Sequence, residues 1–313
     1  MLYLYIALGL IGGFLLIYLL PTMMISNKIY SSLLIRHNKE EWSRGVSWDD
    51  DEQRRMFYEG ADWGKENEQY HKTVSITNEG FKLVGEYFDF GYDRCVIIIS
   101  GRMEAGTYAY YFSQPYKMAK FNVLAIDNRS HGESDGKYNN LGLSEYRDIL
   151  AWAKYLHDNE NINKVILHGI CIGSATGLYA LIQEDTPDYM ISLVADGMYE
   201  SFAESFKNHM IERKKPKQPF TNQVMWYVQM LSGKSPIKYS PKNLISKLDR
   251  PILFLYSKQD TYSTPSQAEY LYEHCTSKKK LQWFEKGVHS HLRINAPEKY
   301  DKTICDFVKE YID

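Results

Sequence analysis

Six short apolar runs constrain this chain more than anything else in it. They are "CVIIIS" (95–100), "FNVLAID" (121–127), "KVILHG" (164–169), "ISLVAD" (191–196), "ILFLYS" (252–257) and "LQWFE" (281–285). Each is short for a helix and too continuously apolar for a strand with one wet face. Such runs belong to strands buried on both sides, as in a parallel sheet sandwiched between helices. The intervals supply helices: "LSEYRDILAWAKYLHDN" (143–159) repeats apolar residues at three and four. Ahead of the first run, "KTVSITNEGFKLVGEYFDF" alternates in period two around Asn78-Glu79-Gly80, which predicts a β-hairpin. The expectation is an α/β chain with a mostly parallel, doubly wound sheet over residues 71–313.

One interval is too long for a single crossover. Residues 198–247 carry helical periodicity, the basic stretch "IERKKPKQPF" and several aromatics, and are expected to form a helical cap over the sheet's C-terminal edge. The basic stretch reads first as a solvated loop, and second as a contact for anionic lipid head groups. Phe202, Phe206, Phe220, Trp226 and Tyr227 permit an apolar acyl chain, or simply pack the cap.

The N-terminus departs from the rest. Residues 2–20, "LYLYIALGLIGGFLLIYLL", hold no charge and are closed by Pro21. At about 1.5 Å per residue the run matches a bilayer's hydrocarbon core. It has no polar face, no Lys or Arg before it and no small-residue cleavage site after it, which favours an uncleaved single-pass anchor (1–21) over a signal peptide. Lys28, Arg36, Lys39 and Arg44 follow it, so the positive-inside rule weakly points the main domain to the cytoplasm. Residues 22–70 are polar and read as a connector, with an amphipathic helix expected around "DDEQRRMFYEGADWGKEN".

Net charge is −2, so no overall field recruits nucleic acid, and no nucleic-acid partner is expected. Four cysteines (Cys95, Cys171, Cys275, Cys305) have no C-x-x-C or regular spacing, which argues against a disulfide framework or zinc site.

In open parallel sheets, sites collect after the strands' C-terminal ends. "GICIG" (169–173) follows one run and precedes a helical one. Gly169 and Gly173 flank Cys171 as a sharp strand-to-helix turn requires, and Ile172 offers a backbone N–H to an oxyanion. Taken alone the motif is weak, since glycines often flank buried cysteines. Asp260 follows "ILFLYS" and His289 follows "LQWFE". The order nucleophile, acid, base, each after its own strand, makes Cys171, Asp260 and His289 candidate catalytic residues. The loop after "CVIII" supplies a second oxyanion donor, the backbone N–H of Arg102. His289 and His291 lack a third ligand at metal-binding spacing, and no metal is expected.

"D-x-R-x-H-G-x-S-x-G" (Asp127, Arg129, His131, Gly132, Ser134, Gly136), "ADGMYESF", "KYSPKNLISKLDRPILFLYSKQD" and the C-terminal "HSHLRINAPEKYDKTICDFVKEYI" strongly resemble the α/β-hydrolase superfamily over about residues 70–313. The nearest likeness is to its serine aminopeptidase-like and monoacylglycerol-lipase-like branch, in particular membrane-anchored bacterial members. The resemblance implies a Ser/Asp/His hydrolase needing no cofactor. Here Cys171 stands for the serine, and Ser100-Gly101 for the family's His-Gly. A thiolate leaves more readily than an alkoxide, so a small acyl substrate with a good leaving group is expected: an activated ester, a thioester or a lactone. The alternatives are a catalytically inactive binding or scaffold protein at the membrane, and an acyltransferase.

Overall fold

The computed structural model describes residues 1–46 and 50–313. Eight strands form one sheet: β1 (His71–Asn78), β2 (Phe81–Phe88), β3 (Arg94–Ile99), β4 (Asn122–Ile126), β5 (Lys164–Ile170), β6 (Met190–Asp196), β7 (Ile252–Ser257) and β8 (Lys279–Phe284). Their order is β1-β2-β4-β3-β5-β6-β7-β8. β1 and β2 form the expected antiparallel hairpin, β2 meets β4 antiparallel, and every later pairing is parallel.

The continuous apolar runs are explained by two cores, one on each face. Along β3, Ile97 and Ile99 enter one core while Val96 and Ile98 enter the other. Period two holds, but both phases are buried, so no polar face is needed. The first core is closed by helices α3 (Tyr146–Glu160), α4 (Ile172–Leu181) and α7 (Pro265–His274), through residues such as Trp152, Leu178 and Leu271. The second is closed by α2 (Asp51–Glu66) and α8 (Pro297–Tyr311), through Met56, Trp63, Tyr300 and Phe307. α2 starts where Asp50 accepts from the Gln53 backbone N–H at 2.8 Å, with Asp51 and Glu52 favouring the positive helix end. Arg44, just before it, pairs with Glu86 and with Asp127 (2.7 Å), fastening this segment to the sheet.

Between β6 and β7 lie α5 (Phe202–Glu212) and α6 (Phe220–Ser232), the two main helices of the cap region. The N-terminal helix α1 runs from Leu2 to Leu34 and is long and apolar enough to cross a membrane. It does not stop at Pro21. Proline lacks the N–H that the Ile17 carbonyl would receive and clashes with that turn. A widened π-turn over Leu15–Leu19 absorbs the clash, and the Thr22 hydroxyl reaches the Tyr18 and Leu19 carbonyls, each at 3.0 Å. No residue from Leu2 to Leu19 is buried, whereas Ser26, Tyr30 and Leu34 are. The last turns of α1 therefore belong to the folded domain, packed against α6. Ser26 donates to the Gln223 side-chain oxygen (2.7 Å), Gln223 donates to Thr22 (2.9 Å), and the Tyr227 hydroxyl donates to the Met23 carbonyl (3.2 Å).

Candidate active site

Cys171 occupies the junction of β5 and α4 with φ 53° and ψ −111°, a region that L-residues enter only under strain. The surroundings leave the chain no alternative. A Cβ on Gly173 would overlap the Ile99 carbonyl oxygen, and one on Gly169 would overlap the Ser174 nitrogen. The Cys171 N–H donates to the Asp196 carbonyl (2.8 Å), tying the turn to the end of β6. Cys171 is half-buried and lines a cavity of about 340 Å³. A larger hollow of about 600 Å³, lined by His37, Trp42 and Met103, lies beside the 37–46 segment and does not include Cys171. Ser174 does not compete as a nucleophile, because its hydroxyl is buried and donates toward the Gly169 (2.5 Å) and Asp196 (3.1 Å) carbonyls.

Asp260 and His289 converge on the same point from the loops after β7 and β8. His289 Nδ1 donates to Asp260 Oδ2 at 2.7 Å. Asp260 Oδ1 accepts the backbone N–H groups of Tyr262 and Ser263, each at 2.8 Å, so the carboxylate is locked in one orientation. Burial alone would lower the pKa of His289. The Asp260 charge, the Cys171 sulfur and hydrogen bonds to both outweigh it and hold the imidazole well above its ordinary value. Cys171 lines the same cavity as His289, so the nitrogen not used by Asp260 is available to the thiol. His291 is not part of this group: its Nδ1 meets Glu52 of α2 at 3.0 Å.

The loop after β3 presents three successive backbone N–H groups. Gly101 donates to Glu104 (3.3 Å) and Met103 to His131 Nε2 (3.2 Å). Only the N–H of Arg102 in that trio has no acceptor among the described residues, and the same holds for Ile172 at the start of α4. Two N–H groups beside a cavity-lining thiol form a place where a developing oxyanion can be stabilised. His131 braces this loop while stacked on Trp42, with ring centroids 4.8 Å apart. Burial pushes its pKa down to about 4, so it accepts the Met103 N–H as a neutral ring.

Two acids beneath the site escaped sequence reasoning. Glu104 is buried at the cavity wall, its pKa raised by burial. Asp196, at the end of β6, is fully buried, accepts from the Tyr300 hydroxyl at 2.7 Å, and has its pKa pushed up to about 7, chiefly by burial. An acid closing an apolar strand was the available signal for Asp196; Glu104 had none.

The family described as alpha/beta hydrolase fold matches residues 95–215. The Bacillus subtilis protein YqkD, itself described as uncharacterized, is 30% identical over 197 residues, which are 62% of this chain and 64% of that relative, so the chain spans a little under two thirds of it. Among solved structures, the Pyrococcus furiosus esterase Pf2001 superposes with TM-score 0.66 at 24% identity, covering 80% of this chain and 94% of its own. An alpha-beta hydrolase from Vibrio vulnificus superposes with TM-score 0.62 at 17% identity, covering 91% of this chain and 93% of its own.

Proposed function

Since the chain has the α/β-hydrolase fold, we propose that it is a membrane-anchored hydrolase of ester-type bonds, acting through Cys171, His289 and Asp260 by a covalent acyl-enzyme. One observation carries this reading. A cysteine held at positive φ shares one cavity with a carboxylate-oriented imidazole and two N–H groups that have no acceptor among the described residues.

His289 takes the Cys171 proton, and the resulting thiolate attacks the carbonyl carbon of an ester, thioester or lactone. The carbonyl oxygen becomes an oxyanion facing the Arg102 and Ile172 N–H groups. The tetrahedral intermediate collapses, the carbon–leaving-group bond breaks, and the imidazolium of His289 protonates the departing oxygen or sulfur. Water, deprotonated by His289, then attacks the thioester; the acid leaves and the thiol is restored. Asp260 stays ionised throughout, fixing the tautomer that points Nε2 at sulfur. A peptide nitrogen leaves less readily than the thiolate, so the first intermediate would return to substrate; this favours activated acyl groups. α1 is long and apolar enough to hold the domain at a membrane surface, and Lys28, Arg36, Lys39 and Arg44 after Leu20 favour the cytoplasmic face.

The full chain in neutral detergent micelles should release nitrophenol from p-nitrophenyl acyl esters. A brief exposure should leave an acyl adduct on the peptide containing Cys171, seen by mass spectrometry. Cys171→Ala should reduce turnover by about 10³-fold or more and abolish the adduct. Undiminished turnover in Cys171→Ala would remove the thiol from the mechanism.

A further inference from the structure

The catalytic reading leaves two guanidinium groups unused. Arg102, His209 and Arg213 line the same cavity as Cys171 and His289. Arg102 comes from the loop after β3, and the other two from the end of α5, so the cap closes one cationic wall against another. Among the described residues Arg102 is held by neutral acceptors alone: its Nη1 donates to the Leu33 carbonyl (3.4 Å) and lies 3.0 Å from the Met103 sulfur. Neither arginine forms an ion pair with a carboxylate among the described residues.

The neighbouring carboxylates are engaged elsewhere. Glu104 takes the Gly101 N–H (3.3 Å) and Gln53 (3.2 Å), and Glu212 takes the Tyr262 hydroxyl (2.6 Å). Both guanidinium charges also reach His209, which is itself no cation at neutral pH. Burial first, and then the charges of both arginines, lower the pKa of His209. Half-buried Arg102 and exposed Arg213 bring two like charges to one cavity, an unfavourable arrangement that is relieved when an anion enters. Guanidinium groups suit this, since their planar fork matches a carboxylate or phosphate.

We propose that this wall is an anion subsite, so that the substrate is an acyl ester or thioester carrying a carboxylate or phosphate group. The proposal rests on the hydrolase reading and narrows its substrate class. Arg102 would serve at both ends, its backbone N–H at the oxyanion and its guanidinium at the anionic group. The two substrate groups must therefore lie within one arginine side chain's length, as in half-esters of short dicarboxylic acids.

Alkylation tests the subsite without requiring turnover. Iodoacetate and iodoacetamide each form a carbon–sulfur bond and release iodide, differing in charge. In the full chain in neutral micelles, the iodoacetate-to-iodoacetamide rate ratio at Cys171 should exceed that at half-buried Cys305 by about tenfold. Arg213→Gln should narrow the difference, and Arg213→Lys should restore part of it. Protection by succinate or by inorganic phosphate distinguishes a carboxylate ligand from a phosphate ligand. Equal ratios at the two cysteines overturn the subsite, whatever esters are hydrolysed. In parallel, the kcat/KM ratio of mono-p-nitrophenyl glutarate to p-nitrophenyl valerate should exceed one and fall in Arg213→Gln. Turnover of both esters with equal kcat/KM would overturn the subsite and leave the hydrolase reading standing. A persistent alkylation bias with neither ester hydrolysed would do the reverse.

Discussion

The two walls of the cavity around Cys171 are held by different means. On the sheet side, position is dictated by backbone: Cys171 at positive φ, Gly173 against the Ile99 carbonyl, Asp260 clamped by two N–H groups. On the cap side, position is dictated by side-chain packing, with Phe206 buried in the core and Phe202, His209 and Arg213 lining the cavity from α5 and its end. Backbone sterics tolerate errors of a few tenths of an ångström, whereas packed side chains can rearrange. Under the proposed hydrolase reading, the division suits a site whose chemistry is fixed and whose substrate choice resides in the cap.

The sharpest way to break this contrast is to substitute one residue on each wall. Gly173→Ala forces a methyl into the Ile99 carbonyl, and neither β3 nor the turn can yield without moving Cys171. A displacement near 1 Å costs on the order of 10²-fold in rate, so kcat for a small ester should fall at least that far. Phe206→Ala should lower stability by about 3–5 kcal/mol through the cavity it leaves, yet largely preserve kcat for a small ester while altering KM with acyl length. If Gly173→Ala keeps its kcat and Phe206→Ala loses it, the division is wrong.

Much of the sheet wall was legible because its causes are local. A strand buried on both faces must be continuously apolar, and a strand-to-helix turn at positive φ needs small neighbours, so β3 to β7 and the 169–173 elbow could be read from composition and spacing. Asp260 and His289 followed from strand ends. Other features depend on contacts distant in sequence. Pro21 marks a helix end by its own chemistry, but the π-turn before it and the packing against α6 carry α1 on to Leu34. The cationic wall joins Arg102 to residues more than a hundred positions later, a proximity that periodicity does not encode. Asp196 was visible as a strand-ending acid, but its complete burial was not.

Asp196 also separates the walls by pH. Its folded-state pKa of about 7 lies above the ordinary carboxyl value of 3.8, chiefly through burial, with the Tyr300 hydrogen bond opposing the rise. Between roughly pH 4 and 7 the folded chain therefore holds a proton that the unfolded chain has released. Stability from this group must fall as pH rises through that window. Asp196→Asn keeps an acceptor for Tyr300 and removes the titration. The stability of the variant relative to the natural chain should rise by a few kcal/mol from pH 4 to pH 8, because each pH unit between the two pKa values contributes about 1.4 kcal/mol. Comparing the two chains by denaturant unfolding cancels the other titrating groups, and a difference that does not change with pH would contradict the buried charge.

The smallest effect concerns the junction of the cap with α1. Gln223 joins Ser26 and Thr22 of α1 to α6 and is buried where the two helices meet. Gln223→Ala removes both hydrogen bonds and leaves the Ser26 hydroxyl without its partner, a loss of about 1–2 kcal/mol. For a domain of this size that is a fall of roughly 2–4 °C in Tm per kcal/mol, measurable in micelles on the full chain. Because the junction lies on the packed wall, kcat for a small neutral ester should stay within about twofold. A larger loss of kcat, without a matching loss of stability, would mean that α1 positions the reacting groups themselves. In that case the contrast between a fixed wall and an adjustable one would have to include α1 on the fixed side.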